Sequence, residues 1–97
     1  MGLLPDNEIA EGLVALPGWS RDGDAIVRVF DRGNFVGAVD FLNRITPIAE
    51  AANHHPDVAI SWKDVTVTLT THSAGGITGN DLALAAQIDE AATAGTA

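Results

Sequence analysis

From Val65 to Thr70 the chain alternates strictly: Val65, Val67 and Leu69 are aliphatic, while Thr66, Thr68 and Thr70 are threonines. A period of two puts the aliphatic side chains on one face of a strand and the hydroxyls on the other. Such a strand belongs in a sheet with one face covered and one face open. The cover is legible upstream. Phe35, Ala38, Val39, Leu42, Ile45, Ala49 and Ala52 recur at spacings of three and four across residues 34–54, the apolar stripe of an amphipathic helix. Asp31 or Asn34 is positioned to cap its start. Pro47 lies deep inside and cannot donate to the carbonyl of Asn43, so a kink or local widening is expected there. His55-Pro56 is expected to end the helix, because a residue before proline is pushed out of the α region.

The remaining punctuation divides the chain in the same way. Residues 5–16 predict a first helix: Pro5 suits a first turn, Asp6 and Glu8 suit its positive end, and Ile9, Leu13 and Leu16 share a stripe that Gly12 weakens. Pro17-Gly18 stops it. Trp19-Ser20 and Ala25–Phe30 flank the turn Asp22-Gly23-Asp24 and predict a hairpin. Val58–Ser61 and Lys63–Thr71 predict a second, with its turn near Trp62-Lys63-Asp64. Thr78-Gly79-Asn80-Asp81 has the form of a capping box opening a last helix, 79–92. The fold class is α+β: a two-layer sandwich, with a four-stranded antiparallel sheet carrying its helices on one face, built as a helix and then strand-strand-helix twice.

At 97 residues the chain has room for one domain, spanning 1–97, with 93–97 expected as a frayed tail. Of its 45 apolar residues 16 are alanine, leaving 29 larger ones, a modest core that association would help to cover. The absence of cysteine removes disulfides, thiolate metal sites and Cys nucleophiles together. A net charge of −8 opposes phosphate-backbone binding, so nucleic acid is not an expected partner. No apolar run approaches the ~18 residues of a membrane span, and the N-terminus lacks a signal peptide's basic start, so a soluble cytoplasmic protein is expected.

The residues able to do chemistry are few. His54, His55 and His72 all fall between the end of the long helix and the end of the last strand, at one rim of the predicted sheet. Glu50 stands four residues before His54, one helical turn away, where a carboxylate would fix the imidazole tautomer and raise its basicity. Imidazoles titrate near ~6.5 and move protons in both directions at neutral pH. Taken singly, a histidine is as readily core or surface filling, and Asp81 serves its helix cap whatever else it does. Trp19 and Trp62 read as packing residues. Glu50 and His54 have metal-ligand spacing, but adjacent histidines at a helix end diverge, so no metal site is expected. Gly75-Gly76-x-x-Gly79 is too loose for a phosphate loop.

The run Glu50-Ala-Ala-Asn-His54-His55-Pro56-Asp57, then Trp62, then Val65-Thr-Val-Thr-Leu-Thr-Thr-His72, then Gly76-Ile-Thr-x-x-Asp81, resembles the pterin-4a-carbinolamine dehydratase family. The similarity reaches upstream through Gly18-Trp19, Ile26-x-Arg28-x-Phe30 and Phe35-x-x-Ala38-x-x-Phe41. It implies a 4a-hydroxytetrahydrobiopterin dehydratase (a hydro-lyase) that converts the 4a-carbinolamine to quinonoid dihydropterin by histidine acid–base catalysis, without cofactor or metal. It further implies that His54, His55, His72 and Asp81 line the pterin pocket as catalytic residues, that Glu50 orients His54, and that Trp62 and Thr71 bind or orient the substrate. A homodimer or homotetramer is implied, with Val58–Ser61 the edge less suited to pairing. Pro47 and Arg32-Gly33 depart from the family pattern. The alternative from the same likeness is a non-catalytic binding module, a transcription dimerisation cofactor or a Rubisco assembly chaperone.

Overall fold

The computed structural model describes residues 2–94. In chain order the elements are α1 (Asp6–Val14), β1 (Ser20–Asp22), β2 (Ala25–Asp31), α2 (Phe35–Ala52), β3 (Asp57–Ser61), β4 (Asp64–Leu69) and α3 (Gly79–Ala94). The four strands form one antiparallel sheet in the order β1-β2-β4-β3. This is the predicted α+β sandwich. Two-residue turns close both hairpins, each using left-handed backbone: Gly23 at φ 60° and Trp62 at φ 54°. Glycine tolerates that conformation freely and tryptophan does not.

The alternation in β4 does what a period of two demands. Val65, Val67 and Leu69 are fully buried, and Ile26 and Phe30 of β2 stand opposite Leu69 and Val65 on the same face. Phe41 and Ile45 of α2, and Leu84, Ala85 and Ile88 of α3, complete this core together with Ile9, Leu16 and Trp19. Each of the Val, Leu, Ile and Phe side chains among these contributes about 1.5–3 kcal/mol when fully buried. Gly12, a weak point for α1 on propensity, is where α1 meets α3: a Cβ there would lie 2.6 Å from Leu82 Cδ1. Trp19 Nε1 and Arg28 Nη1 both donate to Asp89 Oδ1 at 2.9 Å, fastening α3 to the sheet. The sheet's other face carries Val27, Val29, Thr66 and Thr68, which are exposed or half-buried.

Of the two candidate caps of α2, Asn34 is the one used, its side chain accepting from Gly37 N at 2.7 Å. Several boundaries differ from expectation, some with consequences for the chemistry. The helix runs unbroken through Pro47, which lies on its exposed side. It ends at Ala52, two residues short of the predicted 54, because Asn53 adopts the left-handed conformation (φ 50°, ψ 41°) and His54 N donates back to Ala49 O at 3.2 Å. That is a Schellman-type termination, in which a left-handed residue turns the chain away from the helix axis. β4 ends at Leu69 where a strand to Thr71 was expected, since only an isolated bridge, Thr71 to Gly76, continues the pairing. α3 extends to Ala94, so Thr93 and Ala94, expected in a frayed tail, are helical, while 95–97 lie outside the described residues.

Candidate active site

The predicted pairing of Glu50 with His54 is not what the structure contains. Because Asn53 breaks the helix, His54 no longer lies one turn above Glu50. It turns instead toward α3, where its Nε2 lies 2.5 Å from Asp81 Oδ1. Glu50 pairs with His55, whose Nε2 bonds Glu50 Oε2. Each of these adjacent histidines thus has a carboxylate, but from different elements and in different surroundings. The His54 side chain is 13 % exposed and Asp81 0 %, whereas His55 and Glu50 are 59 % and 68 % exposed.

Asp81 is the hub. Its Oδ2 accepts from Thr78 N at 2.8 Å, the return bond of the capping box. The same oxygen accepts from Thr71 Oγ1 at 2.8 Å. Two donors converge on Oδ2 and the imidazole faces Oδ1, so the arrangement suits a carboxylate that accepts at both oxygens. The hydroxyl hydrogens can then be assigned. Thr71 spends its one hydrogen on Asp81, so in the 2.8 Å contact between the two threonine hydroxyls Thr78 is the donor. Thr78 Oγ1 in turn accepts from Asn80 N at 3.3 Å. With Asp81 an acceptor, His54 Nε2 carries the hydrogen of their contact, and Nδ1 is the nitrogen free to take or give a proton. Asp81 therefore caps α3 with one oxygen and sets an imidazole tautomer with the other. Thr78 is the member of this network that sequence reasoning passed over, although it opens the recognised cap.

His72 follows Thr71 directly and lies in the turn 72–75, not at the end of a strand. The turn is tied down by its backbone: Thr71 O accepts from Ala74, Gly75 and Gly76 nitrogens at 2.9–3.3 Å, and Gly75 sits at φ 79°. The alternation nevertheless persists, with Thr71 buried and His72 exposed. His54 and His72 are thereby connected through Asp81 and Thr71, at the end of the sheet where His55 also emerges. His55 and His72 each open onto a hollow. One, of about 150 Å³, is lined by His55, Glu50, Ala49, Leu42, Ile45, Thr46, Pro56 and Val58. The other, of about 320 Å³, is lined by His72 with Asp24, Ala25, Thr70 and Gly75.

Trp62 is not brought to this end. It occupies the β3–β4 turn, at the far end of a hairpin whose strands run about 17 Å at ~3.3 Å per residue. Its ring is exposed, with Lys63 Nζ 5.2 Å from the centroid. Among the described residues no group of three or more His, Asp or Glu side chains is arranged to hold a metal ion, and no helix is long and apolar enough to cross a membrane.

Comparison with known proteins adds to this geometry. The family model for pterin 4 alpha carbinolamine dehydratase matches residues 2–91. A relative from Nocardia farcinica, bearing a provisional pterin-4-alpha-carbinolamine dehydratase name, is 51% identical over 90 residues, covering 93% of this chain and 95% of its own. One from Sulfurisphaera tokodaii, named in the same way, is 50% identical over 93 residues, covering 96% and 100%. The crystal structure of a transcriptional coactivator/pterin dehydratase from Brucella melitensis superposes with a TM-score of 0.89 at 34% identity, over 94% of this chain and 99% of that one. A pterin dehydratase-like RuBisCO assembly factor of the α-carboxysome shares the fold, with a TM-score of 0.62 at 21% identity over 76% and 86%. With a helix end, a capping box and a strand end joined through Asp81, and with these relatives along nearly its whole length, the chain belongs to the pterin 4 alpha carbinolamine dehydratase family.

Proposed function

We propose that the protein dehydrates 4a-hydroxytetrahydropterin to quinonoid dihydropterin, with its histidines as the acid and the base. The reaction breaks the C4a–O bond. An acid protonates the departing hydroxyl to water, the N5 lone pair closes the C4a=N5 double bond, and a base removes the N5 proton. One proton is given and one taken, so an imidazole pair suffices. The carrying observation is the Asp81 network: one buried carboxylate bonds His54 and, through Thr71, steadies the turn that presents His72. His55 and His72 are exposed and exchange protons with water readily, which suits them to the transfers. His54 is held in one tautomer and suits a fixed contact to the substrate. Glu50 orients His55. The cytoplasm is the compartment this reading assigns.

The test is to follow carbinolamine loss spectroscopically with and without purified protein. Catalysis above the spontaneous rate is expected, and it should survive EDTA. Activity abolished by chelator and restored by zinc would overturn the metal-free mechanism.

A second reading, a protein-binding module, rests on the coactivator and assembly-factor relatives. A scaffold has no need of His54, His55, His72, Glu50 and Asp81 together, so their joint presence favours the enzyme. Self-association accompanies either reading. Both sheet edges, β1 and β3, are open, and Phe35, Val36 and Val39 expose an apolar patch at the start of α2. A symmetric dimer or tetramer is expected. Sedimentation equilibrium at micromolar concentration checks it: a mass near the 10.0 kDa of one chain would refute association.

A further inference from the structure

The hollow beside His72 has a wall of unusual polarity. Its floor is the junction between the β1–β2 turn and the loop after β4, joined by Thr70 Oγ1 donating to the backbone carbonyl of Asp24 at 2.6 Å. That bond uses the one hydrogen Thr70 has, so its oxygen offers the hollow only a lone pair. The Asp24 carboxylate, an acceptor alone, makes no hydrogen bond or ion pair among the described residues. It lies along the loop that carries His72: a Cβ built on Gly76 would stand 3.9 Å from Asp24 Cβ and Oδ1. No lysine or arginine lines the space. A volume of about 320 Å³ falls at the small end of ligand sites, which begin near ~300 Å³.

We infer that Asp24 is a specificity residue: with Thr70 it reads N–H or O–H donors of the ligand held against His72 and turns away anionic groups. The inference rests on the dehydratase reading and names the kind of pterin it takes. Apart from the His72 imidazole, the side chains of this wall only accept, and Asp24 repels a phosphate or carboxylate, while a protein of net charge −8 adds no long-range attraction for one. A pterin offers two sources of suitable hydrogens. One is the ring edge made by the 2-amino group and N3–H, the other the hydroxyls of a C6 side chain.

Asp24→Ala separates these. The variant should fold normally, because Thr70 bonds the Asp24 backbone and the side chain is exposed; its melting temperature checks this. Binding of 7,8-dihydrobiopterin, with a hydroxylated side chain, and of 6-methyl-7,8-dihydropterin, without one, is measured by fluorescence titration alongside KM and kcat. Loss of a charge-assisted hydrogen bond should weaken binding about tenfold or more, raising KM while leaving kcat nearly unchanged. Equal weakening for both ligands assigns the ring edge, and weakening for dihydrobiopterin alone assigns the side chain. Unchanged affinity for both overturns the role of Asp24. A wild-type protein that binds both pterins and dehydrates neither carbinolamine would overturn the dehydratase reading instead, leaving the binding result to judge Asp24.

Discussion

Asp81→Asn is expected to keep the fold and lose the reaction. An amide has one oxygen where the carboxylate has two. If that oxygen stays with Thr78 N and Thr71 Oγ1, holding the helix cap, the amide NH₂ faces His54 Nε2. Two donors cannot meet there, so His54 must present a lone pair at Nε2 and move its hydrogen to Nδ1. The tautomer inverts, and Nδ1, the nitrogen not bonded to residue 81, changes from acceptor to donor. A fall in dehydration rate of about 10²-fold or more is expected, the scale for acid–base groups. Asp81→Ala goes further. It removes the return bond of the capping box and takes from the buried Thr71 hydroxyl its carboxylate acceptor. Cap loss at ~1 kcal/mol and a buried unsatisfied group at 1–3 kcal/mol together predict a loss of about 2–4 kcal/mol. Urea denaturation and a stopped-flow assay on both variants measure the two effects separately. Near wild-type turnover in Asp81→Asn would show that Asp81 serves the helix alone.

His72→Ala should give the converse: full stability with little activity. The imidazole is exposed, and the turn around it is held by backbone bonds to Thr71 O, none of which the substitution touches. Exposed substitutions of this kind stay within about 0.5 kcal/mol. The rate is expected to fall about 10²-fold or more, because nothing else in that hollow carries a proton in the neutral range. A variant as active as the wild type would remove His72 from the mechanism. Strand pairing stops at Leu69, so it is the Thr71–Gly76 bridge and the buried Thr71 hydroxyl that present His72.

The fold was legible because its signals are local and periodic. Val65, Val67 and Leu69 alternate with threonines whatever surrounds them, and the stripe from Phe35 to Ala52 marks an amphipathic helix, of which Ala38, Ile45 and Ala49 are buried while Phe35, Val39 and Ala52 are exposed. The candidate site was legible as a set of residues: His54, His55, His72, Glu50, Asp81 and Thr71 do gather at one end of the sheet. Trp62 does not, since a residue in a hairpin turn is carried by strand length to the opposite end, whatever its place in a motif.

The partners within that set are another matter. Spacing of four made Glu50 and His54 a helical pair, an inference that holds only while the helix continues. One left-handed residue, Asn53, reverses it, and asparagine is among the few side chains that adopt this conformation cheaply. Asp24 shows the same limit from the other side. It is separated from Thr70 by 46 positions, and nothing in the chain between them predicts that a β1–β2 turn will close over the loop after β4. The sequence alone determined the elements, the buried face of β4 and the inventory of acid–base groups, because each depends on neighbours a few residues away. Which carboxylate serves which histidine was decided by the tertiary structure, because hydrogen bonds act over about 3 Å and only the folded chain sets separations that small.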